Sequence, residues 1–329
     1  MSNMDIFYTI DDNFVPQLAA NICSVGSNHS SNNDIVFHVL SKGISEKNQV
    51  ALTKLVSNQD QEIYFYDING FMDRIGFEFD TVGWNEIVLA RLLMAEFLPK
   101  DVHRVIYLDG DTLVLDDIAE LWNQDLGGKT LGMVCEPTAN MTRRQSLGIG
   151  EYFYHNAGVL LVDLDRWRVF GFQQKILNYC RDKTELLFAN DQDALNVVLK
   201  DEIKTLAPRF DYSNIFDYYT YSFLNRLMPG FATADEYRSA KQHPVVVHFL
   251  GEERPWREGN SHRFRYEYRT YLNKTEWRNT SNEKGWKAYF IAWRIFNWVT
   301  KPLPCLRYGI INSLIPSFMK WRARNRRSA

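Results

Sequence analysis

The sequence predicts an α/β fold, a mostly parallel sheet covered by helices. Short apolar runs rich in β-branched and aromatic residues alternate with longer segments in which apolar residues recur at three and four. The 329 residues, 45% apolar and 14% aromatic, suffice for one large core with appended helices or for two modest domains. No internal repeat or low-complexity segment interrupts the pattern, and the first clear shift in composition falls near Glu283.

In chain order, the strands expected are Asp5 to Ile10, Ile35 to Leu40, Ile63 to Tyr66, Val105 to Leu108, Gly132 to Cys135, His155 to Asp163 and Val245 to Phe249. Helices are expected over Phe14 to Val25, Ser45 to Val56 and Ile87 to Phe97, with a further helical run over Ala194 to Leu199 opened by the acids of Asn190-Asp191-Gln192-Asp193. Past Glu283 the character changes. Trp286, Tyr289, Phe290, Trp293 and Phe296 form one helical stripe, with Lys284, Lys287 and Arg294 off it, and Pro302 and Pro304 stop the helix. Leu306 to Met319 is apolar around Arg307, and Lys320, Arg322, Arg324, Arg326 and Arg327 close the chain. The division expected is a catalytic body over 1–283 and a basic, amphipathic C-terminal segment over 284–329. That segment either binds an anionic membrane surface or packs its aromatic stripe back on the body.

Net charge is −2, which argues against a general polyanion binder and against nucleic acid as partner. The balance is uneven, because all forty acids precede Lys284 while ten of the thirty-eight Lys and Arg lie from Lys284 onward. No Lys or Arg occurs before Lys42, so no secretory signal fits the N-terminus, and no eighteen-residue stretch is long and apolar enough to span a bilayer. Cys23, Cys135, Cys180 and Cys305 lie far apart, without the close spacing of zinc sites or redox dithiols. A cytoplasmic protein, peripheral on the inner face of the cell membrane, is the expectation.

Val105-Ile106-Tyr107-Leu108 runs straight into Asp109-Gly110-Asp111, which delivers two carboxylates at a strand end. Ligands of open α/β sheets bind at such ends, and acids at i and i+2 can converge on one cation. The ordinary alternative is a solvated turn. Asp11-Asp12-Asn13 ends the first strand in the same way, where it could meet a base or ribose or simply cap the next helix. His248 lies in the apolar run Val245 to Phe249, as a core residue or a ligand, and is followed by Gly251 and the cation Arg254, which could hold a diphosphate. Tyr154 to Gly158 opens another strand with small and polar residues suited to a hydrogen-bonding wall or a sheet edge.

The order of these clusters, Thr9 to Asn13, Ala90-Arg91, Tyr107 to Asp111, Asn156 to Leu161, Asp191 to Asp193, His248 to Gly251 and Pro255-Trp256, resembles glycosyltransferase family 8 over roughly residues 4–280. Among its members it is most similar in pattern to the bacterial lipooligosaccharide galactosyl- and glucosyltransferases. The resemblance implies a GT-A fold, a UDP-hexose donor, Mn²⁺ with Mg²⁺ as substitute, and transfer with retention at the anomeric carbon. It carries the metal ligands onto Asp109, Asp111 and His248, and the uracil and ribose contacts onto Thr9, Asp11 and Asn13. The phosphates fall to Gly251 and Arg254, the latter standing where the family often has Lys. The donor sugar falls to Arg91, Glu136, Asn156, Asp191 and Gln192, with Glu136 where close relatives carry Asp. Gln192 is placed near the reacting face, where an amide is a poor nucleophile, so a front-face attack is expected, with Asp191 as the reserve nucleophile. The acceptor expected is the lipopolysaccharide core, then a glycosylated surface protein or other cell-wall glycan. A glycoside hydrolase would also show paired carboxylates but needs no diphosphate site. A non-catalytic membrane-binding module would not need Asp109 and Asp111.

Overall fold

The computed structural model describes residues 3–30, 34–75, 86–183 and 189–314. Seven strands make the main sheet: β1 Met4–Asp11, β2 Ile35–Lys42, β3 Glu62–Asp67, β4 Arg104–Leu108, β6 Leu131–Val134, β7 Val159–Asp163 and β8 Ile203–Leu206. They lie in the order β3-β2-β1-β4-β7-β6-β8, and all neighbours are parallel except those of β7, which runs against both β4 and β6. Nearly every position of β1, β2 and β4 is buried, as expected of a sheet covered on both faces. Alternation divides the core. Phe7, Tyr107 and Leu160 face Ile176 and Leu195 on one side, while Tyr8, Ile106 and Leu161 face Leu18 and Ile22 of the helix Val15–Asn28 on the other.

The winding reverses between β1 and β4, because β1 pairs with β2 on one side and β4 on the other. The carboxyl ends of these two strands, at Asp11 and just before Asp109, therefore open on one crevice. Because β7 is antiparallel to β4, with Leu108 opposite Val159, the residues entering β7 lie beside those leaving β4. The Asp109 amide donates to the Gly158 carbonyl at 2.8 Å. A separate two-stranded ladder joins β5 Thr112–Val114 to β9 Val246–His248, pairing Thr112 with His248. This ladder carries His248 to the same crevice.

Several boundaries differ from expectation. β7 starts at Val159, not His155: His155 makes only an isolated bridge to Cys135, and the Asn156 side chain accepts from the Gly158 amide at 2.8 Å, an Asx turn that breaks the strand. The expected helix Ile87 to Phe97 is a 3₁₀ stretch, Glu86–Leu93, followed by one α turn, Met94–Phe97. None of the four cysteines is in a disulfide, and of the four Cys305 alone is exposed.

The C-terminal helix runs Lys287–Thr300, and residues 304–314 are helical again, with Pro304 at the start, where its missing N–H costs nothing. Of the two readings of the aromatic stripe, packing on the body is what the structure contains. Phe290 is buried, the Trp293 ring meets Tyr218 edge-on at 6.1 Å, and Trp286 lies 3.8 Å from the Arg257 guanidinium. Arg307 is 2% exposed, stacked 4.1 Å over Tyr218 and donating to Asn297 Oδ1 at 2.6 Å. The Tyr308 hydroxyl donates to the Thr138 carbonyl at 2.9 Å. The opposite helix face is also apolar and open: Ile291, Ile295, Trp298 and Val299 are each more than half exposed. Among the described residues no helix is long and apolar enough to cross a membrane. The basic cluster Lys320 to Arg327 lies outside the described residues.

Candidate active site

Asp109, Asp111 and His248 converge at the crevice, each offering one ligand atom and all three atoms within 4.8 Å of one another. His248 Nε2 stands 3.3 Å from Asp111 Oδ1 and 3.9 Å from Asp109 Oδ2. On its other side, Nδ1 lies 3.0 Å from Asp211 Oδ1. The ring lies close against Gly158, where a Cβ would sit 2.1 Å from His248 Cε1. Gly110 is closely packed as well, since a Cβ there would come 2.5 Å from Ile10 Cδ1 and displace the end of that side chain. Asp109-Gly110-Asp111 is thus a half-buried turn whose two carboxylates are held toward His248.

Burial and the neighbouring cations act on the two carboxyls with different outcomes. Burial pushes the Asp109 carboxyl up despite the pull of Arg91. For Asp111 burial acts the same way but is outweighed by Arg254, whose Nη2 lies 2.9 Å from Oδ2, and by His248, so this carboxyl is held below its ordinary range. Burial disfavours a charged His248, yet Asp211 and Asp111 together raise its pKa well above the usual value. Two carboxylates and one imidazole on a rigid frame fit a divalent cation of the Mn²⁺ or Mg²⁺ class, with positions left for a substrate's oxygens.

Arg91 is buried beside this cluster. Its Nη1 lies 3.1 Å from Asp109 Oδ1 and donates to the Ala157 carbonyl at 2.6 Å, its Nε lies 2.7 Å from Asp191 Oδ2, and its plane stacks 4.7 Å from the Tyr107 ring. The Tyr107 hydroxyl donates to Asp109 Oδ1 at 2.5 Å and lies 3.2 Å from Thr9 Oγ1, which ties Thr9 to the acids. A second group forms the far wall. Gln192 Oε1 accepts from the Ala157 amide at 3.0 Å while its Nε2 donates to Glu136 Oε2 at 3.1 Å and to the Tyr154 hydroxyl at 3.0 Å. Asn156 Nδ2 donates to the same Glu136 oxygen at 3.4 Å. Burial raises the Glu136 carboxyl, and it lifts that of Asp191 to about 6 against the pull of Arg91.

Of the residues singled out in the sequence, Asp109, Asp111, His248, Arg254, Arg91 and Asp191 form one connected cluster, and Glu136, Asn156 and Gln192 another joined to it through Ala157. Gly251 has a φ of +68°, a left-handed conformation that glycine adopts without strain. At the end of β1, Asp11 accepts from the amides of Asn13 and Phe14 at 3.1 and 3.3 Å, the capping arrangement, and Asn13 is exposed on the turn. Neither touches the acidic cluster directly. Asp211 was not singled out, although an acid between Phe210 and Tyr212, both buried, is a signal in itself.

The model of glycosyl transferase family 8 matches residues 5–260. The chain belongs to that family. It is 27% identical to general stress protein A of Bacillus subtilis over 286 residues, 85% of this chain and 96% of that protein. It is 24% identical to the lipopolysaccharide 1,2-glucosyltransferase of Escherichia coli over 84% of this chain and 80% of that one. Among solved structures, the galactosyltransferase LgtC, crystallised with donor and acceptor sugar analogs, superposes with a TM-score of 0.70 at 28% identity, covering 87% of this chain and 99% of LgtC. The GT-A fold expected of a family 8 enzyme is the fold observed.

Proposed function

We propose that this family 8 glycosyltransferase is a retaining hexosyltransferase that moves glucose or galactose from UDP to a hydroxyl of a glycan. The observation that carries the reading is the convergence of Asp109, Asp111 and His248 at the switch point with Arg254 beside them. These three residues would hold Mn²⁺, which offsets the charge that develops on the departing diphosphate. Arg254 adds a fixed cation on the same side, and Gly251 lets the backbone approach the phosphates. Thr9, Asp11 and Asn13 at the end of β1 face the base and ribose. Arg91, Glu136, Asn156, Asp191 and Gln192 hold the sugar.

Retention is what membership of family 8 implies, and the residues at the sugar bear only on its route. Gln192 is an amide bonded at both ends, and the Asp191 carboxylate is spent on Arg91, so neither is free to form a covalent glycosyl intermediate. The acceptor oxygen then attacks the anomeric carbon on the face the phosphate is leaving. The bond from carbon to phosphate oxygen breaks, the bond to the acceptor oxygen forms, and the hydroxyl proton passes to the departing phosphate. The similarity to a lipopolysaccharide 1,2-glucosyltransferase supports a lipopolysaccharide-core acceptor over a surface protein or other cell-wall glycan. The body over 1–283 carries the reaction, and the segment from 284 brings it to the cytoplasmic face of the membrane.

A screen of UDP-sugars for donor hydrolysis and transfer, with and without Mn²⁺, tests the reading. Asp111→Ala should lower turnover by about 10³-fold, the loss of several kcal/mol of charge stabilisation. Near-normal rates at saturating donor would sink the metal assignment. Proton NMR of the first-formed product should show the α anomer from an α donor, and a β product would overturn the retaining mechanism.

A further inference from the structure

Asp211 belongs to no strand of the main sheet, follows β8 by a short turn, and comes from a region to which the reaction above assigns nothing. Its placement is nevertheless tightly specified. The next residue, Tyr212, is bonded on both sides to β9: its amide donates to the Val246 carbonyl at 2.8 Å, and its carbonyl accepts from the His248 amide at 2.8 Å. The backbone of Asp211 is thereby held in register with His248. The side chain uses one oxygen, Oδ1, on His248 Nδ1 at 3.0 Å. The other, Oδ2, is buried and has no hydrogen-bond partner among the described residues. A buried carboxylate costs several kcal/mol unless it is compensated, and here the compensation is a single imidazole. Nothing else described makes use of this acid.

We propose that Asp211 is a positioning residue of the metal site: it takes the Nδ1–H of His248, so that Nε2 faces Asp109 and Asp111 with its lone pair available to a cation. This inference rests on the metal assignment proposed above. Three constraints then converge on one ring. Gly158 leaves room for the ring, Asp211 fixes its rotation and tautomer, and β9 fixes its backbone. A negative oxygen behind an imidazole also makes it a stronger donor, and such outer partners are typically worth 10- to 100-fold in metal affinity.

The test is a titration of the full-length chain with Mn²⁺ at saturating UDP, followed by the electron paramagnetic resonance of free Mn²⁺, which needs no turnover. Asp211→Asn, which keeps the shape and loses the charge, should weaken Mn²⁺ by about 10-fold, and Asp211→Ala by on the order of 100-fold. Both should narrow the preference for Mn²⁺ over Mg²⁺, since it is the imidazole that favours the softer ion. Metal-free UDP affinity should stay within about twofold, a control that a general loss of structure would not pass. Should Asp211→Ala fail to fold, the isosteric Asp211→Asn decides. Wild-type Mn²⁺ affinity in folded Asp211→Asn and Asp211→Ala would overturn the proposal while leaving the metal site standing. A wild-type chain that binds no Mn²⁺ would remove the metal assignment and this inference together.

Discussion

At Gly158 a single methyl group would lie 2.1 Å from His248 Cε1 and 2.5 Å from Nδ1, closer than any real contact. The ring would have to leave both Asp211 and the acids to make room. Gly158→Ala should therefore cost at least 10-fold in Mn²⁺ affinity through lost orientation while leaving the ligands chemically intact. Metal titration of this variant beside His248→Ala checks it, and similar losses in the two are expected. The same economy explains why Arg91 is buried. Bracketing Asp109 and Asp191 at once, it holds two acids that would otherwise repel, which is a more structural task than the sugar contact it was expected to make alone.

His155 is a buried imidazole held between Asn196 Oδ1 at 3.3 Å and Thr205 Oγ1 at 2.9 Å. Burial lowers its pKa from the ordinary 6.5 to about 4. Above pH 6.5 the ring is neutral whether the chain is folded or not, and stability is indifferent to it. As pH falls from about 6.5 to 4 the unfolded chain takes up a proton that the folded one refuses, so the protein should lose up to about 3 kcal/mol over that window. Denaturant unfolding of His155→Gln against wild type at pH 7, 5.5 and 4.5 should show a flatter fall in the variant. His262, lowered to about 4 mainly by burial, adds a slope of the same sign that this variant keeps. At this scale the sequence was readable wherever an element is buried on both faces. β1 and β4 announce themselves as apolar runs ending in acids. β8, Ile203-Lys204-Thr205-Leu206, is an edge strand only partly buried, so no apolar run marks it. Asp211 escaped notice because its partner is distant in sequence and is met only through the pairing of Tyr212 with β9. The helix Lys287–Thr300 is apolar on two faces, and periodicity alone cannot say which one the body covers.

Viewed whole, the packed structure does not end at Glu283. Arg307 enters a cage of Tyr218, Trp293 and Phe296, with Nη1 also 3.2 Å from Thr300 Oγ1. Tyr218 in turn donates to Glu253, next to Arg254. Arg307→Ala should lower the unfolding free energy by on the order of 3 kcal/mol, read by denaturant titration, because stacking and hydrogen bonds are lost from a buried site. It should also raise the KM for donor with a soluble acceptor, since the loop bearing Arg254 loses its support. Chain cut after Glu283 should be less stable still. The uncovered face makes the opposite prediction. Trp298, 79% exposed, and Ile295, 58% exposed, lie among Arg294, Lys301 and Lys287, so the full-length chain should sediment with anionic vesicles at low salt. Changing Ile295→Asp and Trp298→Asp together should abolish sedimentation and leave transfer to a soluble sugar unaltered. Loss of both properties would mean that the face belongs to the fold.

The β5–β9 ladder brings together chain segments that meet only once most of the polypeptide is in place, for Thr112 must find His248. Closing so long a loop makes His248, the third ligand in the proposed metal site, a late arrival during folding. An unfolded or half-synthesised chain presents Asp109 and Asp111 without their imidazole and holds no cation firmly. On the metal assignment proposed above, the cation would bind the finished state alone and add to its stability by mass action, about 2.7 kcal/mol at a hundredfold excess over Kd. In the cell the pool of divalent cation would act as a proofreader of folding, retaining chains whose last ladder has closed and leaving the others to unfold.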